Sequence, residues 1–175
     1  GEWYGFQHFG VEPDVVTMAK AHGNDMPVGA CWARREVAAV FEPGDHATTY
    51  GGQPLAASAA RATLAVMERE NIPQRAERAG SRLRRLLLDV PAVVEVRGLG
   101  LLLAAQLAEG IDARPVAAAA LRAGLIVNAV SPTSLRLAPP LVVSDEELDE
   151  AVAILAAVLG DLLDGDGVPS AVVVR

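Results

Sequence analysis

Residues 11–20 read Val-Glu-Pro-Asp-Val-Val-Thr-Met-Ala-Lys, and they decide the fold because a turn leads into a short apolar strand that ends on a lysine. The Pro-Asp pair is typical of a turn, and Val15 to Ala19 has the composition of a buried strand. Residues 21–25 predict a loop, because Gly, Asn and Asp tolerate a left-handed backbone. Lys20 is therefore expected between a buried strand and a loop.

Lys20 is also the single lysine of the chain. Of 15 Lys and Arg residues together, the other 14 are Arg. A guanidinium stays protonated, whereas an amine can lose its proton on burial and then form a Schiff base. These residues alone leave two interpretations open: a catalytic amine, or a lysine whose stem lies along the strand end with its charge in water.

The composition favours a mixed α/β class. The hydrophobic residues, 51% of the chain, are mostly Ala, Val and Leu, and only 4% are aromatic. Such residues suit helices packed on a sheet better than an aromatic-rich β-sandwich. A length of 175 residues permits one domain or part of a larger protein.

The charge balance excludes several classes of partner. The formal net charge is −7 and the pI is about 4.9, so the basic surface that nucleic acids or anionic membranes require is missing. Cys31 is the single cysteine, and the three histidines have no metal-site spacing with it, so no metal is expected. Without a signal-like start or a long apolar run, we predict a cytoplasmic protein.

The helix and strand patterns predict two domains. Pro54 suits the start of a helix that runs to Glu70, and Asn71-Ile72-Pro73 predicts a break before a second amphipathic helix, 74–88. Beyond it, strands are predicted at 93–97, 101–107, 125–130 and 134–137, with helices at 115–123 and, after a Ser144 capping box, to about 163. We predict domains 1–73 and 74–163 and a flexible tail, 164–175.

Several blocks, in order along the chain, carry a family resemblance. They are Phe6–Lys20, Pro27–Ala30, His46–Ala56, Val96–Leu101, and Val127–Asn128 followed by Leu135–Leu141. Together they resemble the class-III aminotransferases, and within that family the acetylornithine branch most closely. The resemblance implies fold type I of the enzymes that depend on pyridoxal 5'-phosphate (PLP). Residues 1–73 would then complete the large cofactor domain, and 74–163 would form the small C-terminal α/β domain.

The resemblance also implies roles for four residues. Lys20 matches the lysine that forms a Schiff base with PLP and then moves a proton on the substrate. Thr49 matches a hydroxyl that binds the cofactor phosphate, and Thr48 one that lies beside the substrate; both would serve the neighbouring subunit of a homodimer. Arg136 matches an arginine that grips a substrate carboxylate. From the residues alone, an ordinary turn at the threonines and a structural salt bridge at Arg136 stay open.

The implied reaction transfers the distal amino group of N-acetylornithine to 2-oxoglutarate, in arginine biosynthesis. Ornithine, 4-aminobutyrate or another ω-amine as donor, and a non-catalytic fragment or partner subunit, are open alternatives. Residues 21–26 contain a single glycine where the family has several, so the residues of this loop do not decide whether the enzyme is active. Because parts of the family's site would precede Gly1, we expect the chain to be the C-terminal half of a larger enzyme and inactive by itself.

Overall fold

The computed structural model describes residues 1–165. The chain divides into two compact units, Glu2–Pro73 and the residues from Gln74 onward, which we call the N-terminal unit and the C-terminal unit. Their assignment to a large cofactor domain and a small domain remains a prediction. Of the predicted tail, Asp164 and Gly165 belong to the last helix, and residues 166–175 lie outside the described part of the chain.

The N-terminal unit contains one antiparallel pair of strands and two helices. Its elements are a 3-10 helix (Gly5–Phe9), β1 (Val15–Met18), a second 3-10 helix (Ala21–Gly23), β2 (Ala30–Ala33), α1 (Arg35–Ala38) and α2 (Pro54–Arg69). Strand β1 pairs with β2 from Val15 opposite Ala33 to Met18 opposite Ala30. Strand β2 begins at Ala30 and not at the preceding Pro27, which has no N–H to donate to a strand pair.

The C-terminal unit consists of a four-stranded antiparallel sheet and three helices. Its elements are α3 (Ile72–Leu88, which begins at the boundary), β3 (Val93–Leu99), β4 (Leu102–Leu107), α4 (Ala113–Arg122), β5 (Asn128–Ser131), β6 (Ser134–Leu137) and α5 (Asp145–Gly165). The strand order is β3-β4-β6-β5, and every neighbouring pair is antiparallel. The non-consecutive neighbours β4 and β6 are joined through α4 and β5.

Alternation along the central strands gives the sheet one apolar face and one polar face. Leu103 lies opposite Leu137 and Ala105 opposite Leu135, and all four side chains are buried. They belong to one core cluster with residues of all three helices, among them Leu83, Leu87, Val116, Leu148 and Leu155. The residues between them on the strands therefore occupy the opposite face.

Two helix starts illustrate how local chemistry sets element ends. Helix α3 begins at Ile72, before the predicted start at residue 74, because Pro73 is tolerated in a first helical turn. The predicted capping box of α5 is confirmed: Ser144 N donates to Glu147 Oε2 at 2.8 Å, and Glu147 N donates to Ser144 Oγ at 3.2 Å. The two hydrogen bonds of this capping box satisfy amides that lack partners inside the helix.

The β3–β4 hairpin closes through a tighter turn than the sequence predicted. Leu99 pairs with Leu102, so the turn consists of Gly100 and Leu101, and Gly100 has a φ of 51°. A side chain on Gly80 of α3 would collide with the backbone of Gly100. The absence of a Cβ at Gly80 thus lets α3 approach the hairpin closely.

Candidate functional site

Lys20 follows β1 in a backbone conformation that lysine rarely adopts. Its φ is 64° and its ψ is −115°. Among residues 1–165, the other non-glycine residues with positive φ are Asn24, Asp25 and Asn71, whose side chains tolerate this region. Lys20 has no such tolerance, so its backbone is strained. Strain of this kind persists only where the surroundings impose it, and it concentrates at functional sites.

The loop after Lys20 is held by its own hydrogen bonds and by tight packing at one glycine. Asn24 N donates to Ala21 O at 3.0 Å, and Met26 N donates to Gly23 O at 3.2 Å. Gly23 is buried, and a Cβ added there would lie 2.7 Å from Val28 Cγ1. The single glycine that this loop retains therefore stands where a side chain does not fit.

Helix α2 supports this loop. The 3-10 helix Ala21–Gly23 packs against α2, and the buried residues of α2 are Ala56 and Ala60. Small residues on both elements permit a close approach of their backbones. Because α2 begins at Pro54, directly after the threonine loop, one helix connects the neighbourhood of Lys20 with that loop.

Thr48 and Thr49 lie in an exposed turn that ends just before α2. Gly51 N donates to Thr48 O at 3.3 Å, and a Cβ on Gly51 would collide with the Thr48 methyl group. Gly52 has a φ of 67°, which favours glycine. Within the part of the chain that the structure describes, neither threonine hydroxyl has a hydrogen-bond partner, and Lys20 Nζ has neither a hydrogen bond nor an ion pair. The three polar groups are therefore available to a ligand.

Arg136 lies on the polar face of the sheet. Its neighbours across the strands are Ala104 on β4 and Asn128 on β5. Arg136 Nη2 donates to Asn128 Oδ1 at 3.1 Å, and the side chain is exposed. Among the described residues, no carboxylate forms an ion pair with it. The structural salt bridge considered from the sequence is therefore not present within residues 1–165.

Arg97 occupies the same sheet face but is paired with a carboxylate. Its Nη1 lies 2.7 Å from Glu95 Oε2, and its Nη2 donates to Gln106 Oε1 and to Ser134 Oγ, each at 3.3 Å. Ser134 Oγ also donates to Gln106 Oε1 at 2.8 Å. Arg97 is thus part of a side-chain network with Glu95, Gln106 and Ser134.

The structure places Lys20, Thr48 and Thr49 in the N-terminal unit and Arg136 in the C-terminal unit. Sequence reasoning did not identify Asn128 as the partner of Arg136. Asn128 stands in one of the blocks that carry the family resemblance, but its pairing with Arg136 depends on the register between β5 and β6. A register between strands is a long-range property that no local pattern in these residues specified.

Residues 1–165 lack two further features, a cluster of metal-binding side chains and a membrane-spanning helix. No three His, Cys, Asp or Glu side chains there are grouped so that they could hold a metal ion. None of the helices in this range combines the length and the apolar character needed to cross a membrane.

Comparison with known proteins relates the chain to one family. The family model for aminotransferase class-III matches residues 1–159. The acetylornithine aminotransferase of Corynebacterium efficiens is 46% identical over 162 residues, which cover 93% of this chain and 40% of that protein. The chain spans about two fifths of the length of the curated relatives it matches.

Solved structures give the same relation. Acetylornithine aminotransferase from Elizabethkingia anophelis superimposes with a TM-score of 0.80 at 33% identity, over 91% of this chain and 42% of that chain. Ornithine aminotransferase from Toxoplasma gondii, crystallised with oxidised glutathione and with PLP at partial occupancy in its active site, gives a TM-score of 0.82 at 31% identity. That match covers 91% of this chain and 39% of that chain.

Proposed function

The chain belongs to the class-III aminotransferase family, and we propose that the protein containing it is a transaminase that holds its cofactor through Lys20. The fold is type I of the PLP-dependent transferases, so the predicted fold class is confirmed. The cofactor of the family is pyridoxal 5'-phosphate, as predicted. When bound, PLP withdraws electrons from the substrate carbon that carries the amino group. The donor set of this chain fits that cofactor, because it offers one primary amine and two hydroxyls.

The strained backbone at Lys20 is the observation that carries this proposal. In our proposal, Lys20 Nζ attaches the cofactor covalently until a substrate amine displaces it. The released amine would then act as the base that moves a proton from the substrate carbon to the cofactor. Arginine cannot replace it, because a guanidinium neither attaches an aldehyde in this way nor gives up its proton at neutral pH.

We propose that the two threonines bind at the polar end of the cofactor and at the substrate. Thr49 would donate to the cofactor phosphate, and Thr48 would lie beside the substrate. Their exposed turn supports a role across a subunit interface, in which the loop serves the site of a second copy in a homodimer. Measuring the molar mass of the protein by light scattering tests this proposal, and a monomer at assay concentration would contradict it.

Arg136 is the proposed carboxylate contact. A guanidinium can donate two parallel hydrogen bonds to a carboxylate, and its charge strengthens both. The lack of an acidic partner among the described residues supports this role, because the charge is not already neutralised within the C-terminal unit. The proposed substrates, an amino acid and 2-oxoglutarate, both carry carboxylates.

We propose N-acetylornithine as the amino donor and 2-oxoglutarate as the acceptor, which places the enzyme in arginine biosynthesis. The curated relatives with this name support the choice. The solved structures of ornithine aminotransferases favour a second candidate, ornithine, and other ω-amines such as 4-aminobutyrate follow it. Activity assays of the full protein with each amino donor distinguish these candidates. A full protein that does not turn over N-acetylornithine would exclude it as the donor.

The 175-residue chain by itself is proposed to be inactive, because it matches only two fifths of the length of its relatives. The alternative to an enzyme is a non-catalytic partner subunit. Spectra of PLP mixed with the chain and with the full protein distinguish the two. A Lys20-dependent absorbance change in the full protein supports the transaminase, and its absence favours the partner subunit. A cytoplasmic location stays part of the proposal, and cell fractionation tests it.

A further inference from the structure

The open face of the C-terminal sheet carries two arginines in one row across the strands. The register places Arg97, Ala104, Arg136 and Asn128 side by side on β3, β4, β6 and β5. Adjacent strands are about 4.8 Å apart, so the backbones of the two arginines are about 10 Å apart, with the Ala104 methyl group between them. Ala104 therefore leaves the β4 side of Arg136 uncrowded.

The two arginines are held by different chemistry. Arg97 is bound to a carboxylate, Glu95, at 2.7 Å, whereas Arg136 is bound to a neutral amide, Asn128, at 3.1 Å. A carboxylate neutralises the guanidinium that it orients, and an incoming anion would have to compete with it. An amide oxygen accepts one hydrogen bond and leaves the positive charge uncompensated. The side chain of Arg136 is thereby oriented while its charge stays available.

We propose that Asn128 is a positioning residue that orients the Arg136 guanidinium for a substrate carboxylate without neutralising it. The proposal rests on the proposed function, since it assigns a partner to the carboxylate contact of that same site. The amide of Asn128 would then contribute to the preference of the site for substrates that carry a carboxylate. A residue that merely closed the β5–β6 pair could equally well be a carboxylate.

The test compares three variants in the full protein, with steady-state kinetics for the carboxylate-bearing donor and acceptor. Asn128→Asp places a competing carboxylate beside Arg136, and we expect KM to rise about tenfold or more with kcat little changed. Asn128→Ala removes only the orienting contact, and we expect a smaller rise, of about threefold to tenfold. Gln106→Glu is the matched control, because it makes the same amide-to-carboxylate change beside Arg97.

The control should leave KM within about twofold of the unchanged protein, since Arg97 is already paired with Glu95. Equal KM values for Asn128→Asp and Gln106→Glu would overturn the proposal. A fall in kcat alone, with KM unchanged in Asn128→Asp, would overturn it as well. Thermal unfolding of each variant identifies any loss that comes from misfolding.

A second measurement does not depend on turnover. Nitrogen-15 relaxation of the Arg136 Nε–H group reports how strongly the guanidinium is ordered. We expect the order parameter to fall in Asn128→Ala and to stay unchanged in Gln106→Glu. An Arg136 side chain that is equally mobile with and without Asn128 contradicts the positioning role, even if the protein is an active transaminase. Absence of transamination would contradict the proposed function instead.

Discussion

The two units of the chain differ in how much apolar surface they bury. In the C-terminal unit, large side chains such as Leu135 and Leu155 are fully buried in one core cluster. In the N-terminal unit, large apolar side chains are exposed, for example Phe9 at 73% and Tyr50 at 76%. The buried residues there are Gly23, Ala56, Ala60, Ile72 and Pro73. The unit that carries Lys20 and the threonines thus has little core of its own.

The difference places most of the buried core in the C-terminal unit and the proposed cofactor residues, Lys20 and Thr49, in the N-terminal unit. The C-terminal unit has alternating strands and amphipathic helices that pack together, so most of the hydrophobic stabilisation described here belongs to it. The N-terminal unit holds an apolar cleft of about 680 Å³, lined in part by Tyr4, Met18 and Trp32. Exposed apolar surface of this kind is typical of contacts with further protein. It agrees with the proposed assembly into a dimer.

The largest expected effect belongs to the N-terminal unit and concerns activity alone. We expect Lys20→Arg to lower kcat of the full protein about a thousandfold or more, because the nucleophilic amine is lost while the charge is kept. The free energy of unfolding should change little, since Lys20 is exposed and makes no ion pair within residues 1–165. Steady-state assays and urea denaturation measure the two quantities. Comparable activity in the variant would exclude Lys20 from catalysis.

A matched pair of leucines tests the difference in packing. Leu155 is 0% exposed in the core, and Leu55 on α2 is 68% exposed. We expect Leu155→Ala to lower the free energy of unfolding of the 175-residue chain by about 2–5 kcal/mol. Leu55→Ala should change it by no more than about 0.5 kcal/mol. Equal losses in urea denaturation would mean that the N-terminal unit has a substantial core after all.

A glycine pair tests whether the Lys20 loop is held by packing. In Gly23→Ala the new methyl group would lie 2.7 Å from Val28 Cγ1, whereas a Cβ on Gly5 would have nothing within 4 Å. Overpacking of this kind costs about 1–3 kcal/mol. We expect the amides of Asn24 and Met26 to exchange with solvent about tenfold faster in Gly23→Ala, and no faster in Gly5→Ala. Unchanged exchange in both variants would show that the loop is not held by this contact.

The smallest expected effect lies at the surface of the C-terminal unit. The side-chain hydrogen bond from Arg114, followed by the one from its backbone N–H, lowers the pKa of Asp112 at the start of α4. Because the folded pKa is lowered, this stabilisation is present above the ordinary pKa of about 3.9 and is lost as the pH falls through the folded value. In Asp112→Asn, the midpoint of unfolding should therefore fall slightly less as the pH is lowered. A midpoint that falls more steeply in the variant would contradict a stabilising role for the Asp112 carboxylate.

Local patterns in the sequence predicted many of the elements. Strand β1 before Lys20, the start of α2 at Pro54 and the capping box at Ser144 depend on residues close together in sequence, and the structure contains all three. Residues 21–25 were predicted as a loop, but the structure has a 3-10 helix at Ala21–Gly23. Most other differences between prediction and structure are at element ends. Pro73 is an example, because a proline can end a helix or lie in its first turn.

The candidate site was less predictable than the fold. The resemblance to a family singled out Lys20, Thr48, Thr49 and Arg136, and these roles remain proposals. The positive φ of Lys20 and the pairing of Arg136 with Asn128 could not be derived from local sequence. Both depend on contacts between distant segments: the packing of the loop on α2, and the register between β5 and β6.

Covalent trapping of the cofactor tests the central claim most directly. The full protein, incubated with PLP and reduced with borohydride, would be digested and its peptides examined by mass spectrometry. The account predicts a phosphopyridoxyl group on the peptide that contains Lys20, and its loss in Lys20→Arg. A modification located on another residue, or an unmodified Lys20 peptide under conditions of full activity, would contradict the account.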